Sequence, residues 1–125
     1  MKNKHKMSSL GKTWLFDLDG TILKHNGYKI DGIDTVLPRA KEFLDALPDE
    51  DVIVFLTSRK EEYREQTIQF LNYNKIRYSE IIFNLPYGER ILINDAKPSG
   101  LKTSYGINTQ RDVFMSDEFI ICDDI

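Results

Sequence analysis

Cysteine is nearly absent from this 125-residue chain: Cys122 is the only one, so no disulfide can close within it. That usage fits a reducing compartment, and a cytoplasmic location is expected. Long hydrophobic runs are missing too. No apolar stretch approaches the roughly 20 residues that span a bilayer. Met1 to Lys12 carries Lys2, Lys4 and Lys6 with no apolar stretch behind them, so a secretory leader is not expected. Nor is there an excess of positive charge: 17 Lys and Arg stand against 20 Asp and Glu, a net charge of −3. That balance offers no broad footprint for nucleic acid or an anionic membrane, so neither is expected as a partner. Internal repeats and low-complexity tracts are absent as well.

The rest of the composition, 41% apolar and 30% charged, is that of an ordinary soluble domain. The length suits one core. The expected organisation is a flexible basic tail over residues 1–12 and a single domain over 13–125.

Three short apolar runs organise that domain: Trp14-Leu15-Phe16 ending in Asp17, Val52 to Leu56 ending in Thr57 and Ser58, and Ile91-Leu92-Ile93 ending in Asn94 and Asp95. Runs of this length, without alternation and rich in β-branched residues, suit strands buried on both faces. Ile81-Ile82-Phe83 is a fourth candidate and Tyr105 to Thr109 a weaker fifth. Between them, Ala40, Phe43, Leu44 and Leu47 recur at helical spacing after Pro38, and Pro48 stops the run. Ser58 and Glu61 have capping-box spacing, followed by Tyr63, Thr67, Phe70 and Leu71 on one helical face to about Asn72. Lys24 to Leu37, with Gly27 and Gly32, reads as a loop or small flap. Pro98-Ser99-Gly100 reads as a turn. Asp117 to Ile125 reads as an edge strand or docking segment, with Asp123 and Asp124 as a short acidic tail. Strands alternating with helices predict an α/β domain with a mostly parallel sheet.

In parallel α/β sheets, ligands bind beyond the carboxyl ends of the strands. All three strong runs end in residues that handle phosphate or metal. Any one of them could be an ordinary turn former; three on one edge point to a site. Phe16-Asp17-Leu18-Asp19-Gly20-Thr21 is the sharpest signal. Two acids at i and i+2 repel in a dry site unless a divalent cation joins them, and magnesium takes hard oxygen ligands of this kind. Gly20 lets the chain turn tightly.

Asp-Leu-Asp-Gly-Thr after an apolar strand resembles the first motif of the haloacid dehalogenase-like (HAD) superfamily. Phe55-Leu56-Thr57-Ser58 looks like its second motif, and Ile91-Leu92-Ile93-Asn94-Asp95 like its fourth, although Asn94 stands where the family often has Asp or Gly. The resemblance implies a three-layer, Rossmann-like HAD core and a magnesium-dependent phosphatase. Asp17 would be the nucleophile and Asp19 the general acid and base. Thr57 would bind the transferring phosphoryl group, with Ser58 beside it. Asp17, the backbone carbonyl of Asp19 and Asp95 would hold Mg2+. The family's third-motif cation has Arg90 as first choice, with Arg59 and Lys97 as alternatives that could also contact substrate.

The gaps from Thr21 to Pro48 and from Ser58 to Arg90 are too short for a cap domain. The chain therefore resembles the capless class, whose members take large substrates or borrow a neighbouring subunit as a lid, which makes a homo-oligomer conceivable. Gly88 to Leu101 is similar to small capless HAD proteins associated with bacterial surface-polysaccharide synthesis, pointing to a small phosphate ester such as a sugar phosphate. The rival readings are a nucleotide or nucleic-acid-end phosphatase and a non-catalytic HAD-fold binding protein. His25, Trp14 and Tyr73 read as solvated or packing residues.

Overall fold

The computed structural model describes residues 3–122; the expected acidic tail at Asp123 and Asp124 lies outside them. In chain order the elements are β1 (Lys4–Met7), β2 (Thr13–Asp17), α1 (Gly27–Ile30), α2 (Ala40–Ala46), β3 (Val52–Leu56), a 3-10 turn (Glu61–Tyr63), α3 (Arg64–Tyr73), β4 (Glu80–Ile82) and β5 (Glu118–Ile121). Every strand pairing is parallel. The class is therefore α/β, as the alternation of elements predicts. Among the described residues no helix is long and apolar enough to cross a membrane.

The described chain falls into two compact units. One comprises Gly11–Tyr87 and Thr109–Met115, the other, among the described residues, 3–10, Gly88–Asn108 and 116–122. Lys4–Met7, within the stretch expected as a flexible tail, is a strand.

In the first unit the sheet order is β2-β3-β4. Register sets Trp14 beside Ile53, Phe16 beside Phe55, and Phe55 beside Ile81. These side chains share one sheet face, which is where the core lies. Phe16, Ile53 and Phe55 are buried there with Leu18, Ile22, Leu23, Ala40, Leu44, Leu71, Ile76 and Phe114. Phe43 of α2 meets Trp14, Phe16 and Phe114 with ring centroids 5.6, 6.2 and 5.5 Å away. Full burial of a Leu or Phe side chain stabilises by about 1.5–3 kcal/mol, so this face dominates the unit's stability. The opposite face differs from the two-sided burial expected: Leu15, Val52 and Ile82 remain 49%, 41% and 46% exposed. An unbroken apolar run does not reveal which of its two faces finds a partner.

Helix α2 forms where the spacing predicts. Its last carbonyls are met by Arg77, whose guanidinium donates to Leu44 O, Leu47 O and Pro48 O at 3.1, 2.6 and 2.6 Å. A cation there also complements the helix dipole. Asp51, 5% exposed, accepts Lys12 N at 3.0 Å and Trp14 Nε1 at 2.9 Å, pinning the start of β2 to the entry of β3. The Ser58 capping box does not form. Ser58 Oγ donates instead to Pro86 O at 3.3 Å, and a 3-10 turn leads into α3. The expected flap carries the single helical turn α1, and Arg39 draws residues 109–115 against the unit by donating to Phe114 O at 2.8 Å and Met115 O at 3.3 Å.

In the second unit β1 and β5 pair in parallel. His5, assigned to a tail by its position, donates from Nε2 to Asp117 Oδ2 at 2.7 Å and stacks on Phe119, its register partner, with ring centroids 5.2 Å apart. Two sequence expectations fail here. Ile91-Leu92-Ile93 forms no strand and is 82%, 56% and 90% exposed, and Tyr105 to Thr109 is likewise irregular. A strand needs a neighbour's edge as well as apolar residues, and composition does not supply the edge. Pro98-Ser99-Gly100 does turn, with Gly100 N donating to Lys97 O at 2.8 Å.

Candidate functional site

The three parallel strands of the first unit end on one rim, because Asp17 is level with Leu56 and Leu56 with Ile82. Pairing continues one residue further, with Leu18 N donating to Leu56 O at 2.9 Å. The chain then folds back on itself. Ile22 N and Leu23 N both donate to Leu18 O, at 3.0 and 2.9 Å, and Gly20 N donates to Leu23 O at 2.7 Å. Gly20 takes φ +89°, a region that L side chains rarely adopt. An added Cβ would also meet Arg111 Cγ at 3.4 Å. Within this turn Thr21 Oγ1 donates to Asp17 Oδ2 at 3.0 Å.

Asp19 is the centre of a second set of bonds. Thr57, at the end of β3, donates from Oγ1 to Asp19 Oδ2 at 2.7 Å and accepts Arg59 N at 3.1 Å. Arg59 donates to Asp19 Oδ1 from Nε at 3.0 Å and from Nη2 at 2.8 Å. Its other face grips Asp34 as a fork: Nη2 to Oδ1 at 2.7 Å and Nη1 to Oδ2 at 3.0 Å. Nη1 also donates to Thr67 Oγ1 of α3 at 2.9 Å. The Arg59 Cζ lies over the Tyr28 ring of α1, 3.9 Å from its centroid.

The side chains of Arg59, Asp34 and Asp19 are 1%, 4% and 16% exposed, so this is an ion triad largely withdrawn from water. Burial pulls the Arg59 pKa down, but the bonds to Asp34 and Asp19 outweigh it and leave the guanidinium above its ordinary value. Removing one partner from such a buried pair typically costs about 3–5 kcal/mol, since the other charge is stranded.

Asp17, Asp19, Thr57, Ser58 and Arg59 thus gather in one unit, as the motif reading expects. Their bonding differs from it in two respects. The Thr57 hydroxyl is directed at Asp19, and Arg59 is committed to two carboxylates. Arg90, Asp95 and Lys97 belong to the other unit, where all three are exposed. The Asp95 carbonyl accepts the Thr103 hydroxyl, and Lys97 N donates to Leu101 O at 3.3 Å. Among the described residues no three His, Cys, Asp or Glu side chains converge as a ready metal cluster. The Asp19 carboxylate is engaged by Arg59 and Thr57, which leaves its backbone carbonyl as the atom through which it could serve a cation.

Sequence reasoning missed Asp34, Tyr28 and the role of Thr67. Asp34 sits in an aperiodic loop and carries no local signal. Thr67 did carry one: a lone hydroxyl on the apolar face of a helix needs a buried partner. Compared with family models, with curated proteins and with solved structures, the chain matches none.

Proposed function

We propose that the chain is a magnesium-dependent phosphomonoester hydrolase acting through an aspartyl-phosphate on Asp17, with a small phosphorylated metabolite such as a sugar phosphate as substrate. The finer architecture that goes with this reading is a capless three-layer HAD core, which requires cover over the face carrying Leu15, Val52 and Ile82.

The observation that carries it is the 2.7 Å bond from Thr57 to Asp19. It joins, at one strand rim, two positions that the HAD resemblance singles out from separate motifs. The carboxylate of Asp17 lies two residues away, at the end of the neighbouring strand.

In the first step an Asp17 carboxylate oxygen attacks phosphorus as the ester P–O bond breaks. Asp19 passes its proton to the departing oxygen, and the alcohol leaves. Asp19 Oδ1 already accepts two N–H bonds from Arg59, so Oδ2 is the oxygen through which the proton would pass. In the second step water attacks the same phosphorus and yields a proton to Asp19. The P–O bond to Asp17 breaks, phosphate leaves, and both side chains return to their starting forms. Within the first unit, Asp17 and the Asp19 carbonyl would hold Mg2+, hard oxygen donors of the type it takes with waters and substrate phosphate, and the HAD resemblance assigns the remaining ligand to Asp95. When bound, the ion supplies positive charge against the phosphoryl oxygens. Arg90 is the proposed cation at the phosphate, with Lys97 as the alternative.

The test is hydrolysis of a panel of sugar phosphates, mononucleotides and an aryl phosphate, with Mg2+ and with EDTA. Mg2+-dependent release of phosphate, with one phosphoryl group trapped on the Asp17 peptide, is the expected result. No turnover of any panel member would overturn the proposal.

A further inference from the structure

A guanidinium has five N–H donors in a planar fork. In Arg59 five bonds use all five: two to Asp19 Oδ1, two to Asp34 and one to Thr67. The group is 1% exposed, with its Cζ over the Tyr28 ring. A phosphoryl oxygen could reach it only by displacing one of these acceptors. Yet the side chain bridges four parts of the unit: β3 through its own backbone, β2 through Asp19, the loop after α1 through Asp34, and α3 through Thr67.

We infer that Arg59, clamped by Asp34, is a positioning residue that fixes the Asp19 carboxylate and ties the 24–35 loop to the rim, and that it is not the cation that binds substrate phosphate. Its catalytic meaning rests on the phosphatase reading; the clamp itself does not. Asp19 has two side-chain torsions that would otherwise let its carboxylate swing. The fork on Asp34 sets the plane of the guanidinium, and that plane sets where Asp19 Oδ1 must lie. Lysine could not substitute, since an ammonium is a point charge without the fork.

Two measurements test this, and they fail separately. The first needs no activity. In 15N NMR spectra of the intact protein, the Arg59 Nε–H should give a resolved signal protected from solvent exchange, and Asp34→Asn should abolish that protection. Rapid exchange of the wild-type Nε–H would overturn the inference whatever the protein hydrolyses. A protected signal in a protein that turns over no phosphate ester would leave the clamp standing and sink the phosphatase reading.

The second measurement is steady-state kinetics on para-nitrophenyl phosphate with Mg2+. Arg59→Lys and Asp34→Asn should each lower kcat by about a hundredfold, the scale of a misplaced catalytic group. KM and competitive inhibition by inorganic phosphate should stay within about twofold. The double variant should be no slower than the worse single one, because both break the same device. A rise in KM and a loss of phosphate inhibition in Arg59→Lys alone would show that Arg59 binds phosphate and overturn the inference. Multiplying losses in the double variant would do the same.

Discussion

Thr57 donates from its hydroxyl to Asp19 Oδ2 at 2.7 Å, although the two residues are 38 positions apart in the chain. The bond joins the loops that leave two neighbouring parallel strands, and it exists because those strands end level with one another. It also gives the two oxygens of Asp19 different duties. Oδ1 is held by Arg59, while Oδ2 faces a hydroxyl that can accept as well as donate. In the proposed reaction, where Asp19 would release and regain a proton, that asymmetry leaves Oδ2 for the transfer.

Asp17→Asn should reduce Mg2+-dependent turnover of an aryl phosphate by at least about 10⁴-fold, the scale seen when a covalent nucleophile is removed. The amide keeps an oxygen for the Thr21 hydroxyl, so thermal stability should change by no more than about 0.5 kcal/mol. Substantial residual turnover would remove Asp17 from the nucleophile's role.

For Asp95→Asn, the Mg2+ concentration giving half-maximal rate should rise by at least about tenfold, in line with losses from disturbed metal shells. Metal titration of initial rates reads this directly. An unchanged Mg2+ requirement would exclude Asp95 as a ligand.

Among the cations, Arg90→Ala should slow turnover by about 10²-fold or more, since charge at the transferring phosphoryl group is the main catalytic term. Lys97→Ala should have a lesser effect. Loss confined to Lys97→Ala would transfer the role to Lys97.

Asp51→Ala removes the acceptor for both Lys12 N and Trp14 Nε1. A cost of about 1–3 kcal/mol is expected for losing a buried acceptor of this kind. Thermal unfolding followed by Trp14 fluorescence, the chain's only tryptophan, would show a lowered midpoint. A midpoint equal to wild type would mean the pin between β2 and β3 contributes nothing.

Gly20→Ala should destabilise by about 1–2 kcal/mol, because a Cβ is strained at φ +89°. It should also lower activity, since the turn carries Asp19. Denaturant titration beside kinetics separates the two effects. Full stability in the variant would contradict the left-handed backbone at this position.

Strands β2, β3 and β4 and helix α2 were legible in the residues, because apolar runs and 3.6-residue spacing are local properties. The third strong apolar run did not form the strand expected of it. Ile91, Leu92 and Ile93 are as β-prone as Val52 to Leu56, yet they enter no ladder. The difference lies in whether an edge is presented to them. Ser58 failed as a helix cap because the helical turn begins later than the spacing suggests: Lys60 holds the cap position before Glu61, and the Ser58 hydroxyl donates to Pro86 O.

The turn at Asp17 to Thr21 was determined by the sequence alone, since Gly20 and the Thr21-to-Asp17 bond lie within five consecutive residues. So was the α/β class. The tertiary structure alone decided that Arg59 turns inward to Asp34 and Asp19, residues 25 and 40 positions away, rather than outward to solvent. Short-range torsions and hydrophobic periodicity act over a few residues. A buried charge finds its partners only after the whole unit has closed around it.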